Sequence, residues 1–118
     1  MVKRDIRAYL NDILVHIDLA QNFVKGMTFQ DFQEDDKTIL AVTRALEIIG
    51  EAAKQVPQAI REQYSGIPWR DITGMRDRIA HVYFGIDLEI VWSTAQNRLS
   101  TLRPAIQSIL EDIEAAEE

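Results

Sequence analysis

Leu88, Val91, Ala95, Leu99, Leu102, Ile106, Ile109 and Ile113 recur at three- and four-residue steps through the C-terminal third of the chain. Only a long amphipathic helix puts such a series on one face, so this stretch constrains the fold more than any other. Two further stretches read the same way. Val2, Ile6, Tyr9, Ile13, Ile17, Ala20 and Val24 predict a helix over 2–24, stopped near Gly26. Ile39, Val42, Leu46, Ile49, Ala53 and Val56 predict a second helix over 35–56. Its acidic start, Glu34-Asp35-Asp36, suits the positive end of a helix dipole. A second stripe there, Ala41, Ala45, Ile48 and Ala52, is mostly small and predicts a close neighbouring helix.

The segments between these helices are short. Residues 26–36 read as a polar linker whose Phe29 and Phe32 tuck onto the helices. Pro57 opens a short helical turn with Ile60 and Tyr64 inward, and Ser65-Gly66-Ile67-Pro68 breaks the chain. A helix from Pro68 to about Gly85 follows, with Ile72, Met75, Ile79 and Val82 as its core face. Asp87 is a good N-cap for the last helix, which runs to about Ala116, kinked at Pro104 and with a frayed acidic tail. There is no strand pattern and no internal repeat. The expected fold is all-α: an up-and-down bundle of four main helices plus a short helical turn, residues 1–118 forming one domain.

Composition narrows the function. The chain has no cysteine, hence no disulfide framework, thiol nucleophile or thiolate metal site, which fits a cytoplasmic location. The N-terminus lacks the apolar run of a secretory signal, and no stretch approaches a membrane span of about 20 apolar residues. A net charge of −6 disfavours a general nucleic-acid binder but leaves room for a local phosphate site. Such a site is suggested by Pro68 to Asp87, which gathers Arg70, Arg76 and Arg78 with His81, Tyr83 and Phe84.

His81 is the credible proton-transfer residue, because imidazole exchanges protons near neutral pH. Arg76 lies five residues earlier, so on an ideal helix the two side chains diverge by roughly 140°. A cleft between helices or subunits would let arginine's length close that gap. Asp77, four residues before His81, shares its face and is placed to fix its tautomer. The bland reading is that Arg76, Asp77, Arg78 and His81 form a solvated face, and spacing alone favours it. His16 has no partner pattern and is assigned nothing. Trp69 and Trp92 read as packing residues. The scattered acidic groups lack histidine companions at ligand spacing, so no metal or other cofactor is expected.

Arg76-Asp77-Arg78-Ile79-Ala80-His81-Val82-Tyr83 fits the pattern R-x4-H-x-Y. With the flanks Ile67-Pro68-Trp69-Arg70 and Phe84-Gly85-Ile86-Asp87, and with Arg44 to Ala53 on the second helix, the chain resembles the HepT toxin group of the HEPN superfamily over nearly its whole length. The resemblance implies a helical homodimer and metal-independent RNA cleavage through Arg76 and His81. It also implies pairing with a small nucleotidyltransferase antitoxin, which transfers AMP onto Tyr83. One histidine per chain cannot be acid and base at once, so a dimer cleft holding two copies is attractive, with substrate assistance as the alternative. A rival from another class is a non-catalytic helical partner of a nucleotidyltransferase, using the same surface to bind protein or nucleotide.

Overall fold

The structure, a computed structural model, describes residues 5–80 and 88–117. They form α1 (Ile6–Val24), α2 (Phe29–Gln33), α3 (Asp36–Lys54), α4 (Gln58–Gln63), α5 (Trp69–Thr73), α6 (Met75–Ala80), α7 (Leu88–Ser93) and α8 (Leu99–Ala116). A π-helical segment, Thr94–Arg98, joins the last two. No strand occurs among the described residues, and the fold is an all-α bundle as the periodicity predicts.

The apolar stripes are the core. Leu10, Ile13, Ile17, Val42, Leu46, Ile49, Leu99, Ile106 and Ile109 are all fully buried. Each such side chain contributes on the order of 1.5–3 kcal/mol relative to exposure. Polar contacts fix helix direction. Arg7 meets Glu117, Asp18 meets Arg103 and Gln21 meets Ser100, so α1 and α8 run antiparallel. Tyr9 and Asp12 near the start of α1 share a cleft with Ile48, Ala52 and Gln55 near the end of α3, so that pair is antiparallel too. Arg103 donates to both Asp18 oxygens at 2.7 and 3.1 Å. Those hydrogen bonds hold the Asp18 carboxyl below its usual range and the guanidinium above its own.

Helix ends follow local chemistry. Asp5 caps α1 by accepting from the Arg7 N–H, and Asp35 caps α3 by accepting from the Thr38 N–H. At the other end of α3, Arg61 donates to the carbonyls of Val56, Ala53 and Lys54, which have no partner within the helix. Tyr64, just after α4, donates its hydroxyl to Asp112 at 2.6 Å, and the carboxylate raises the phenol's pKa. Trp69 anchors α5 by donating its indole N–H to the Tyr64 carbonyl.

Four expectations need correction. The linker over 26–36 contains a helical turn, α2, because Thr28 and Asp31 make a reciprocal capping box. Phe32 and Phe29 do tuck inward, each against Trp92. The helix expected from Pro68 to Gly85 is broken at Gly74, between α5 and α6. Gly74 has the weak helix propensity that permits the break, and a Cβ there would lie 3.0 Å from the Arg70 carbonyl oxygen. The last helix is interrupted by the π-helical segment. At its start Thr94 turns its hydroxyl back onto the Ile90 carbonyl at 2.7 Å, competing with the regular backbone ladder. The acidic tail stays helical to Ala116, and Arg7 ties it down at Glu117. Pro104 is accommodated on the exposed side of α8. Gly85 and Asp87, the expected stop and cap, lie outside the described residues. None of the described helices is long and apolar enough to cross a membrane.

Candidate functional site

The site begins with a glycine inside a helix. Gly50 sits in the body of α3 and is buried, where alanine would stabilise an isolated helix by roughly 1 kcal/mol. The structure explains its presence. A Cβ on Gly50 would lie 3.1 Å from the Ile72 carbonyl oxygen, 3.6 Å from the Met75 Cβ and 3.7 Å from the Arg76 nitrogen. The α5–α6 junction therefore rests directly on the α3 backbone. Ile72 and Ile79 are buried and Met75 partly so, which locks the junction into the core and fixes where Arg76 leaves it.

Arg76 points outward, with 59% of its side chain exposed. Its guanidinium approaches Glu51, the residue after Gly50, at 3.6 Å. That is an open ion pair: charged hydrogen bonds close to about 2.7–2.9 Å, as Arg103 and Asp18 do at 2.7 Å. Glu51 also lines the cleft between α1 and α3 with Tyr9, Asp12 and Gln55. Both members of the pair are thus accessible, and neither is consumed by the other.

The three arginines of the segment do not converge. Arg78 pairs with Asp71 at 3.0 Å and borders a separate groove, floored by Leu46, Ile72, Ile79, Val91 and Leu99. Arg98, from the π-helical segment, lies on the same rim. Arg70 is exposed on α5. Asp77 is exposed on α6, and among the described residues its carboxylate has no ion-pair partner. His81 and Tyr83 lie outside the described residues. His16 is partly buried and shares its Nδ1 with the Asp12 carbonyl of its own helix at 2.7 Å, which accounts for it structurally. Among the described residues, no three His, Cys, Asp or Glu side chains gather to hold a metal ion.

Sequence reasoning missed Glu51 as a chemical group and Gly50 as its support. The available signal was a glycine-acid pair interrupting an otherwise strong helix former, Arg44 to Ala53.

The model of the family described as "Ribonuclease HepT-like" matches residues 13–109. A protein of Methanocaldococcus jannaschii named "Putative RNase MJ1216" is 43% identical over 118 residues, covering 100% of this chain and 98% of the relative. "Probable ribonuclease HepT" of Thermococcus cleftensis is 40% identical over 108 residues, 92% of this chain and 98% of the relative. "Putative RNase TTE0752" of Caldanaerobacter subterraneus subsp. tengcongensis is 41% identical over 105 residues, 89% of this chain and 94% of the relative. No solved structure matches the chain.

Proposed function

The chain belongs to the HepT-like ribonuclease family, and on that premise we propose that it is a cytoplasmic, metal-independent endoribonuclease. It acts as the toxin of a toxin–antitoxin pair, with Arg76 and His81 as its catalytic residues. The observation that carries this reading is Arg76 itself. It is an exposed cation on a rigidly seated junction, opening the R-x4-H-x-Y frame, with no closed ion pair to occupy it.

RNA supplies its own nucleophile. The 2′-oxygen bonds to phosphorus as the P–O5′ bond breaks, leaving a 2′,3′-cyclic phosphate and a 5′-hydroxyl. Negative charge grows on the non-bridging phosphoryl oxygens, and the forked donors of Arg76 neutralise it. His81 exchanges a proton with one of the two reacting oxygens. Asp77 has a supporting role, orienting the imidazole. The working unit is a homodimer. Purified protein should cleave defined RNAs equally well with and without EDTA, at a scattering mass twice 13.5 kDa. Loss of cleavage in EDTA that a divalent ion restores would overturn the metal-independent reading, and a monomer at micromolar concentration would overturn the dimer.

A partner nucleotidyltransferase neutralises the enzyme by transferring AMP onto Tyr83. The phenol oxygen attacks the α-phosphorus of ATP and pyrophosphate leaves. The product carries a phosphodiester anion and an adenosine two residues from His81. The anion competes for the Arg76 donors and repels an incoming RNA phosphate. Tyr83→Phe removes the acceptor oxygen but keeps the ring. That variant should stay folded, keep cleaving RNA, and gain no adenylate mass with partner, ATP and magnesium. Adenylate appearing on it as readily as on the parent would exclude Tyr83 as the acceptor.

A further inference from the structure

Phosphoryl transfer from the 2′-hydroxyl needs two proton movements. One leaves the 2′-oxygen as it attacks, and one reaches the 5′-oxygen as it departs. The R-x4-H-x-Y frame supplies one imidazole. The second group need not come from another subunit, because α3 places a carboxylate beside Arg76.

We infer that Glu51 is the general base of the reaction, a catalytic residue contributed by α3. The inference rests on the reading of Arg76 and His81 as the cleavage site. Three observations carry it. First, the Glu51 Oε1 lies 3.6 Å from the Arg76 Nη1. When a guanidinium holds a phosphoryl oxygen, the 2′-oxygen of the same linkage lies next to it. A carboxylate at this offset can then reach the 2′-hydroxyl at hydrogen-bond distance, about 2.6–3.2 Å. Second, the pair is open rather than hydrogen-bonded, so the carboxylate is available as an acceptor and is 41% exposed. Third, the juxtaposition is built into the backbone. Gly50 seats the Arg76 nitrogen against α3, so the backbones from which the Glu51 and Arg76 side chains extend stay side by side.

The other nearby acids are less suited. Asp71 is closed onto Arg78 at 3.0 Å, and Glu47 pairs with Arg44 at 3.4 Å. Asp77 adjoins Arg76 in sequence, so on α6 its side chain diverges by about 100°. Tyr9, Asp12 and Gln55 share the cleft with Glu51 and are the polar groups a ribose would meet there. In the resulting step Glu51 takes the 2′-hydroxyl proton, the O2′–P bond forms, the P–O5′ bond breaks, and His81 protonates the departing 5′-oxygen. The two groups return to their starting states by exchanging one proton with solvent.

The test is cleavage of a short RNA with one scissile linkage, alongside helical circular dichroism of each variant. Glu51→Gln keeps the size of the side chain and a carbonyl oxygen at its end but cannot take a proton. It should lose about a hundredfold or more in kcat, with KM within a few-fold. Formate should revive Glu51→Ala and leave His81→Ala inactive. An RNA with a 5′-bridging sulfur expels a thiolate that needs no proton, so it should relieve His81→Ala and not Glu51→Gln. A Glu51→Gln enzyme within a few-fold of the parent, a Glu51→Ala enzyme that formate does not revive, or relief of Glu51→Gln by the sulfur substrate would each overturn the base assignment alone. A parent that cleaves no RNA, or an Arg76→Ala variant as active as the parent, would overturn the ribonuclease site on which it rests.

Discussion

Arg76→Ala and His81→Ala should each lower RNA cleavage by roughly 10²–10⁴-fold while the helical circular dichroism stays that of the parent. The range is that of a lost transition-state donor in the first case and of a lost proton-transfer group in the second. The fold should tolerate the arginine change because the side chain is mostly exposed and its ion pair with Glu51 is open. Exposed pairs of this kind contribute about 0–1 kcal/mol. The double variant should be little worse than either single one, since the two groups act in one step and their losses do not add. Asp77→Ala should have a much smaller effect if that carboxylate only orients the imidazole. Initial rates on a defined RNA, with circular dichroism on the same samples, decide the matter. Cleavage that survives in either single variant removes that residue from the site, and growth arrest that persists in the double variant favours the non-catalytic adaptor.

The long helices were legible because burial enforces a period. The stripes through α1, α3 and α8 each pack apolar side chains that would otherwise face water, and the middle members of each are buried. Ile6, Tyr9, Ile39 and Ile113 near the ends are half-buried, and Leu10, Leu14 and Leu110 join the core from outside the predicted series. Phe29 and Phe32 were legible for the same reason, since two aromatics in a polar segment need somewhere dry to go. What the period could not carry were the irregularities. The break at Gly74 lies where the chain crosses Gly50, about 80 Å of extended backbone away in sequence terms, while its neighbours Ile72 and Met75 lie against that glycine in space. The π-helical segment turns on one threonine hydroxyl choosing a carbonyl, which leaves the apolar spacing nearly regular. At the site, Arg76 and Asp77 were legible as charged residues in a motif. Glu51 was not, because its meaning comes from a neighbour on another helix. His81 and Tyr83 were read from the motif alone, and their geometry lies outside the described residues.

Gly50→Val should detach the α5–α6 junction from α3 and so disable the enzyme from beneath. Alanine is the useful comparison. Its Cβ would meet the Ile72 carbonyl oxygen at 3.1 Å, which needs a shift of a few tenths of an ångström. Against that strain stands the gain of roughly 1 kcal/mol from replacing glycine inside a helix. Gly50→Ala should therefore stay within about 1 kcal/mol of the parent in urea unfolding. Valine adds two methyl groups where the Ile72 carbonyl and the Met75 side chain already sit. Overpacking of this kind costs about 1–3 kcal/mol, and relief requires the junction to move away. Arg76 leaves that junction, so the guanidinium moves with it. A misplacement on the order of 1 Å can cost about a hundredfold in rate. The expected pattern is a Gly50→Val protein that is still helical, less stable, and slower in single-turnover cleavage by about two orders of magnitude under conditions where it is folded. A Gly50→Val enzyme with the parent's stability and rate would mean that α3 and the junction do not touch at Gly50, and that the placement of Arg76 owes nothing to this glycine.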